Sequence, residues 1–318
     1  CLDFMGSSSK NKSAFTPIFF LNQWFILINA RDTGPRIMNK DDSLVVLLGN
    51  RRYQVKRPWG ELPANSSFGF ISQLALDSAG RVYVFQRGQP PVLVFEPTGN
   101  FRSGWGHDYI VDAHGIFISP SDQVFLVDRD AHQILIFTID GNLIGSLGER
   151  NVPHFQAPFN HPTNVAVARD GDIYVSDGYG NSTVHRFSST GEHKQTWGRP
   201  GVGPGEFSTP HAICVDQRER VLVVDRENNR VQIFDREGKY LDEWGDFYHP
   251  MDIYEDSSGM IYVTDQIPRL SMMSPEGELL GRCRPVLNMP HGISGNDQGD
   301  LFLAEMNPTR VTKLVLLP

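Results

Sequence analysis

Three histidines stand at one equivalent position of a repeated pattern, and their type and spacing are those of a metal centre. His114, His211 and His291 each lie ten residues before the first residue of a short apolar strand. Three neutral imidazoles that meet at one point supply the ligands of a catalytic Zn²⁺ site and leave one coordination position for water or substrate. We therefore predict a metal site at these histidines, and the nitrogen ligands favour zinc over copper or iron.

The strands that set this register recur six times along the chain. They begin at Val82, Val124, Ile173, Val221, Ile261 and Leu301, so one repeat is roughly 40 to 50 residues long. A polar turn precedes each strand, and further β-rich runs and glycine turns follow. Four short strands per repeat, six repeats and no helical period predict an all-β fold, a six-bladed β-propeller whose four-stranded blades surround a central channel.

The propeller explains why alternate repeats matter. From the first blade to the sixth, the position ten residues before the strand holds Ser72, His114, Thr163, His211, Met251 and His291. The innermost strand of every blade runs beside the channel, so these equivalent residues form a ring around it. Histidines from every second blade then face one another. A single buried histidine is usually structural, and it is the alternation that indicates a shared ion.

We assign residues 38–318 to one propeller domain and residues 1–37 to an N-terminal extension. The sixth repeat ends early, and a propeller must not leave an open sheet edge, so we expect residues 53–60 to supply the missing outer strand. The apolar run Ile18 to Ile28 is too short to span a bilayer. It suits a weak signal-peptide core, an N-terminal helix or residues upstream of a start at Met38.

The composition argues against some classes of binding partner. The 318 residues are 40 % hydrophobic, enough for a core, and carry a net charge of −8. That acidic balance argues against nucleic acids and anionic membranes, which bind through Lys and Arg. Three cysteines without a CxxC pair indicate neither a disulfide framework nor a cysteine zinc site. We expect a monomer with no membrane span, in the cytoplasm unless the N-terminal apolar run is a signal peptide.

Several short motifs resemble known families. The run DRENNRVQIF at 225–234 resembles the signature of NHL repeats, which form propellers. Four segments resemble the peptidyl-α-hydroxyglycine α-amidating lyases, the lyase domain of peptidylglycine amidating enzymes: IYVSDGYGNS at 173–182, Pro210-His211, VDREN at 224–228 and Met289-Pro-His291. This likeness extends from about Phe68 to the C-terminus.

The resemblance implies roles for individual residues. It places a channel zinc on the three histidines, in agreement with the register argument. It assigns a catalytic tyrosine to Tyr179, carboxylate-binding or charge-stabilising arginines to Arg87 and Arg226, and a substrate-lining role to Met289. The reaction it implies is cleavage of an α-hydroxyglycine-type carbinolamide, from a small molecule or a peptide, to an amide and glyoxylate.

Two departures from that family are visible. Its acidic residue after the last histidine, linked to a structural calcium, is replaced by Gly292, so the sequence does not support calcium. Cysteines of the family are replaced at Gly180 and Val223, so its disulfides are not expected. Such changes fit a distant or microbial-type relative with altered substrate preference.

Simpler interpretations and other functions remain open at this stage. Tyr179 could pack on a blade surface, and the strand-end arginines, Arg129 included, could pair with repeat acids such as Asp128 or Asp225. A propeller lactonase or other metallohydrolase would prefer carboxylate and Asn ligands around Ca²⁺, which the histidines disfavour. A non-enzymatic NHL-repeat binding module would show an exposed basic or aromatic face and bind no metal.

Overall fold

Short apolar runs bounded by glycine turns make nearly every element of this chain a β-strand. The computed structural model describes residues 44–284 and 288–318, and the predicted extension, residues 1–37, lies outside them. In the described ranges the strands form six antiparallel sheets. The prediction of an all-β, six-bladed propeller is confirmed.

The strands run in chain order, and each blade is a meander that starts at the channel. The first two strands of the described chain, β1 (Val45–Leu48) and β2 (Arg51–Trp59), belong to the sheet of blade 6. Blade 1 contains β3 (Phe70–Leu76), β4 (Val82–Arg87), β5 (Val92–Phe95) and β6 (Phe101–Trp105). Blade 2 contains β7 (Ala113–Ile118), β8 (Val124–Asp128), β9 (Gln133–Phe137) and β10 (Leu143–Leu147). Blade 3 contains β11 (Asn164–Val167), β12 (Ile173–Asp177), β13 (Thr183–Phe187) and β14 (His193–Trp197).

The remaining blades follow the same order. Blade 4 contains β15 (Pro210–Val215), β16 (Val221–Asp225), a 3₁₀ turn at Arg226–Asn228, β17 (Arg230–Phe234) and β18 (Tyr240–Trp244). Blade 5 contains β19 (Pro250–Glu255), β20 (Ile261–Asp265), β21 (Arg269–Met273) and β22 (Leu279–Cys283). Blade 6 ends the chain with β23 (Pro290–Gly295), β24 (Leu301–Met306) and β25 (Thr309–Leu317). The strands β3, β7, β11, β15, β19 and β23 contact one another in turn around the channel.

Blade 6 is closed by the two ends of the described chain. Strand β2 pairs with β25 so that Tyr53 faces Leu316 and Val55 faces Leu314. The sheet has five strands, in the order β1-β2-β25-β24-β23. The outermost strand, β1, is an addition to the four-stranded pattern expected from the sequence. Its alternation is clear in the structure, where Val46 and Leu48 are buried while their neighbours are exposed.

Neighbouring blades are joined by the Trp-Gly pattern at the blade edges. The ring of Trp105 packs on the turn of Gly141 in the next blade, and a Cβ at Gly141 would lie 2.8 Å from that ring. Trp197 packs on Gly238 in the same way, with a Cβ contact of 2.6 Å. Both glycines have positive φ, +83° and +74°, which also favours glycine there. Within the described residues, no helix is long and apolar enough to cross a membrane.

Candidate metal centre and active site

The three histidines of the ring meet at one mouth of the channel. His114, His211 and His291 are each the second residue of an innermost strand, in β7, β15 and β23, and all three are buried. Their ring centroids are 5.0 Å, 5.1 Å and 5.3 Å apart, which is close to an equilateral triangle. The structure thus brings together the residues that the register predicted as one group.

Each imidazole is held by the backbone of the next blade. The bonds run from Nδ1 of His114 to the carbonyl of Thr163 (2.6 Å), from His211 to Met251 (2.6 Å) and from His291 to Ser72 (2.7 Å). The acceptors are the three residues without imidazoles in the same ring. Because a carbonyl oxygen can only accept, Nδ1 carries the proton, and Nε2 presents a lone pair. Second contacts of this kind orient metal-binding histidines.

Burial also keeps these imidazoles neutral. Removal from water, with a smaller contribution from nearby arginines, lowers the pKa of His291 to about 4. Burial lowers the pKa of His114 and of His211 well below the ordinary value, with a further contribution from the neighbouring histidines. Neutral imidazole is the form that binds a metal ion.

A carboxylate tethers the loop that leads to each histidine. These acids lie at the end of the second strand of their blades: Asp128 and Asp225 are the last residues of β8 and β16, and Glu305 is the last but one of β24. Asp128 accepts hydrogen bonds from the backbone N–H groups of Val111 and Asp112, both 2.9 Å long. The equivalent bonds run from Ser208 to Asp225 (2.7 Å) and from Asn288 to Glu305 (2.7 Å). The repeat acids therefore position the innermost strands and do not pair with Arg87, Arg129 or Arg226.

Tyr179 lies directly over the histidines. Its hydroxyl oxygen is 3.0 Å from Nε2 of His114 and 3.0 Å from Nε2 of His211. It follows β12 and Gly178, where a Cβ would overlap the carbonyl group of Pro210. Its side chain is 37 % exposed and therefore accessible from the channel mouth. The alternative that Tyr179 only packs on a blade surface does not describe this geometry.

The donor set fits a divalent cation. The candidate ligand atoms of the three histidines all lie within 4.8 Å of one another. The single hydroxyl hydrogen of Tyr179 can serve only one of its two Nε2 neighbours. No hydrogen-bond donor from the described residues reaches Nε2 of His291. At least two of the three converging lone pairs therefore lack a donor. This is the arrangement of three-histidine zinc sites, where bound nitrogens lie roughly 3.3 Å apart for Zn–N distances of about 2.0–2.1 Å.

Two arginines lie against Tyr179, and a third lies on the side of His291. The guanidinium carbon of Arg226 lies 5.3 Å from the centroid of the tyrosine ring, and that of Arg129 lies 5.4 Å away. Nη1 of Arg226 donates to the hydroxyl at 3.3 Å. The third, Arg87, lies 4.9 Å from the ring centroid of Phe70, which in turn contacts His291. Sequence reasoning treated Arg129 only as a counterpart, although its strand-end register was the signal that could have identified it.

Acidic side chains from the loops hold these arginines in place. Nε of Arg87 and Nε of Arg129 are each 3.0 Å from the carboxylate of Asp112. Nε of Arg226 donates to Glu227 at 2.7 Å. Burial raises the pKa of Asp112, and the two arginines oppose that rise. The closest ion pairs thus use the Nε edges of the guanidinium groups.

Met289 and Gly292 flank the last histidine. Met289 is partly exposed, with φ +49°, and its carbonyl accepts a bond of 3.2 Å from the N–H of Met306. Its substrate-lining role stays a prediction. At Gly292, a Cβ would lie 2.9 Å from the Cα of Gln73, so a larger residue would displace that neighbour.

Deeper in the channel, the buried carboxylate of Asp252 links blades through hydrogen bonds. The sequence patterns did not identify this residue. Oδ2 of Asp252 accepts hydrogen bonds from Nε2 of Gln73 (2.9 Å) and from the N–H of Ile293 (2.8 Å). Gln73 in turn accepts from the N–H of Ile116 at 2.7 Å. Burial raises the pKa of Asp252 to about 7. The signal available in the sequence was an acid directly after the ring position of blade 5.

Comparison with known proteins agrees with the fold. A family model described as a six-bladed β-propeller matches residues 156–267. A probable peptidyl-α-hydroxyglycine α-amidating lyase of Caenorhabditis elegans is 30 % identical over 283 residues, which cover 82 % of this chain and 77 % of the worm protein. The chain belongs to the NHL-repeat family that includes these amidating lyases. That family is the one its motifs resemble.

Two further relatives match most of this chain. Peptidyl-α-hydroxyglycine α-amidating lyase 1 of Drosophila melanogaster is 27 % identical, and the alignment covers 84 % of this chain and 60 % of the fly protein. Human NHL repeat-containing protein 3 is 29 % identical, with coverage of 77 % and 79 %.

Solved structures share the fold. A gluconolactonase from Xanthomonas campestris has a TM-score of 0.64 at 14 % identity, and the match covers 85 % of this chain and 91 % of that protein. A streptogramin B lyase has a TM-score of 0.63 at 12 % identity, with coverage of 86 % and 100 %. At these identities the likeness concerns the propeller alone.

Proposed function

We propose that this protein is a metal-dependent lyase that breaks the C–N bond of an α-hydroxyglycine-type carbinolamide. In the reaction R–CO–NH–CH(OH)–COO⁻ gives R–CO–NH₂ and glyoxylate. The hydroxyl loses its proton, its oxygen becomes the aldehyde oxygen, and the departing nitrogen gains a proton. The observation that carries the proposal is the hydroxyl of Tyr179, 3.0 Å from the Nε2 atoms of two of three converging histidines.

The arginines suit the carboxylate of this substrate. Arg87 is oriented through Nε by Asp112, and Arg226 is oriented through Nε by Glu227. A guanidinium group can form two parallel hydrogen bonds with a carboxylate, which fixes the anion in one orientation. A carboxylate held at Arg226, which bonds the hydroxyl of Tyr179, would place the neighbouring carbinol carbon beside that hydroxyl. Arg87 would hold the carboxylate from the side of His291.

Tyr179 is the group placed to move the proton. Its oxygen lies at the mouth, within reach of a bound hydroxyl, and the guanidinium groups of Arg226 and Arg129 lie against its ring. Tyr179 would accept the carbinol proton as a general base and return it to the amide nitrogen as the C–N bond breaks.

The histidines would hold the metal ion. Zinc bound to His114, His211 and His291 would act as a Lewis acid that lowers the pKa of the substrate hydroxyl. Support comes from the neutral imidazoles and their backbone-bound Nδ1 atoms, and from relatives that bear the name of amidating lyases. The fly relative is longer than this chain, so the activity is proposed for the described propeller.

The test is a product assay with N-benzoyl-α-hydroxyglycine. Zinc-loaded protein should release benzamide and glyoxylate in equal amounts, at a rate above the spontaneous reaction. An aldonolactone incubated in parallel should give no acid above background. Absence of glyoxylate from zinc-loaded protein would overturn the proposal, and lactone hydrolysis without glyoxylate would assign the site to a metallohydrolase.

A further inference from the structure

A cavity of about 340 Å³ opens beside Tyr179, between blades 3 and 4. One wall is the turn 178–182 after β12, and the other is formed by residues 200–202 and 207–209 of the loop that leads into β15. Asn228, two residues after Arg226, closes one side. The cavity therefore shares Tyr179 with the proposed active site, and we call it the acyl groove.

The acyl groove differs from the channel mouth in charge. None of the described residues that line it is Asp, Glu, Lys, Arg or His. The mouth, by contrast, holds the guanidinium groups of Arg87, Arg129 and Arg226 with their acidic partners. At the rim of the groove, Val202 is 75 % exposed. An uncharged pocket next to a charged mouth suits a molecule with one uncharged end and one charged end.

Polar groups in the groove are available to a ligand. Within the described residues, the hydroxyls of Ser182, Ser208 and Thr209 have no hydrogen-bond partner. Thr209 has φ +66°, which is unfavourable for a β-branched residue. Its carbonyl is held there by the N–H of Arg226 at 3.1 Å. The same conformation recurs at His161, His249 and Met289, so it belongs to the repeat. In blade 4 the backbone bond links the groove wall to an arginine of the mouth.

We infer that the acyl groove receives the acyl half of the substrate, and that this half carries an uncharged side chain of small or medium size. The inference rests on the proposed function. With the carboxylate at the arginines and the carbinol carbon at Tyr179, the acyl group must leave in the remaining direction, which is the groove. A charged side chain there would lose hydration without gaining a partner. The volume lies at the low end for small-molecule pockets, about 300–1,000 Å³, and suits a short acyl group.

The experiment compares four substrates: N-acetyl-α-hydroxyglycine and the α-hydroxyglycine derivatives of N-acetyl-valine, N-acetyl-aspartate and N-acetyl-lysine. Wild-type protein should prefer the valyl compound over both charged ones in kcat/KM by roughly tenfold, the scale of an unpaired buried polar group. N-acetyl-α-hydroxyglycine has no acyl side chain and tests the proposed function separately.

Charges introduced at Val202 test the direction of the acyl group. Val202 contributes only its backbone N–H to the loop, in a bond of 3.1 Å to Glu206, and Arg199 pairs with that glutamate. The Val202→Lys variant should raise the aspartyl-to-valyl ratio of kcat/KM, and Val202→Asp should raise the lysyl-to-valyl ratio. We expect shifts of about two- to fivefold, the scale of an exposed ion pair. A general disturbance of the loop would move both ratios in the same direction.

The matched controls are Leu241→Lys and Leu241→Asp on the outer strand β18, where Leu241 is 47 % exposed. Both should leave every ratio unchanged. Equal rates for the valyl and charged substrates, or ratios that do not respond to the charge at Val202, would overturn the acyl groove while the lyase activity stands. Failure of the wild-type protein to cleave even N-acetyl-α-hydroxyglycine would overturn the proposed function itself.

Discussion

Nδ1 of His211 donates a hydrogen bond of 2.6 Å to the carbonyl oxygen of Met251, its equivalent residue in the next blade. The same relationship holds for the other two histidines. Alternate blades thus supply the imidazoles, and the intervening blades supply the carbonyls that orient them. The orientation of each histidine depends on backbone packing between blades, so the triad is built into the closed ring of the propeller.

Replacement of Tyr179 by phenylalanine separates proton transfer from metal binding. The Tyr179→Phe variant keeps the ring against Arg226 and Arg129 but loses the hydroxyl beside the histidines. We expect kcat to fall by about 10²- to 10⁴-fold, the usual contribution of a general acid–base group, with zinc content unchanged. Tyr248→Phe, at an exposed tyrosine, is the control. Full turnover by Tyr179→Phe would remove the tyrosine from the mechanism.

The planar shape of the Arg87 guanidinium group, as well as its positive charge, should contribute to substrate binding. Arg87→Ala should lower kcat/KM by about 10- to 100-fold, because hydrogen bonds to charged groups contribute about 1.5–3 kcal/mol. Arg87→Lys should recover little of this loss, since an ammonium group cannot bind a carboxylate through two parallel bonds. Steady-state kinetics with Arg102→Ala, an exposed surface arginine paired with Glu96, give the baseline. Wild-type kinetics in Arg87→Lys would argue against a bidentate contact.

The buried carboxyl of Asp252 should make stability depend on pH. Burial raises its pKa from 3.8 to about 7, so the folded protein holds a proton that the unfolded chain releases. Stability should therefore fall as pH rises from about 4 to about 7, by up to about 1.4 kcal/mol per pH unit. Urea unfolding at several pH values should show this contribution in wild type and in the exposed control Asp242→Asn, and lose it in Asp252→Asn. An equal pH dependence in all three proteins would contradict the assignment.

The sequence could predict the features that repeat. Period-two apolar strands, turn glycines and the register of His114, His211 and His291 recur from blade to blade, so one alignment locates them all. The same reasoning could not find the partners of Arg87 and Arg129, because Asp112 lies in a loop whose path depends on nonlocal packing.

The sequence also could not predict single contacts across the channel. Gln73 and Asp252 meet from blades 1 and 5, and no local pattern links two residues so far apart in the chain. Likewise, β1 pairs with β2 because β2, already paired to β25, offers a free edge, and a run of four apolar residues does not show that partner.

The most direct measurement is the metal content of purified protein by elemental analysis. After zinc loading and removal of loosely bound metal, wild-type protein should retain about one zinc per chain, as expected for a single three-histidine site. His114→Ala, His211→Ala and His291→Ala should each lose that zinc together with turnover, whereas His193→Ala, at an exposed position of β14, should keep both. Zinc retained in His211→Ala, or active protein free of metal, would contradict a cation held by these three imidazoles.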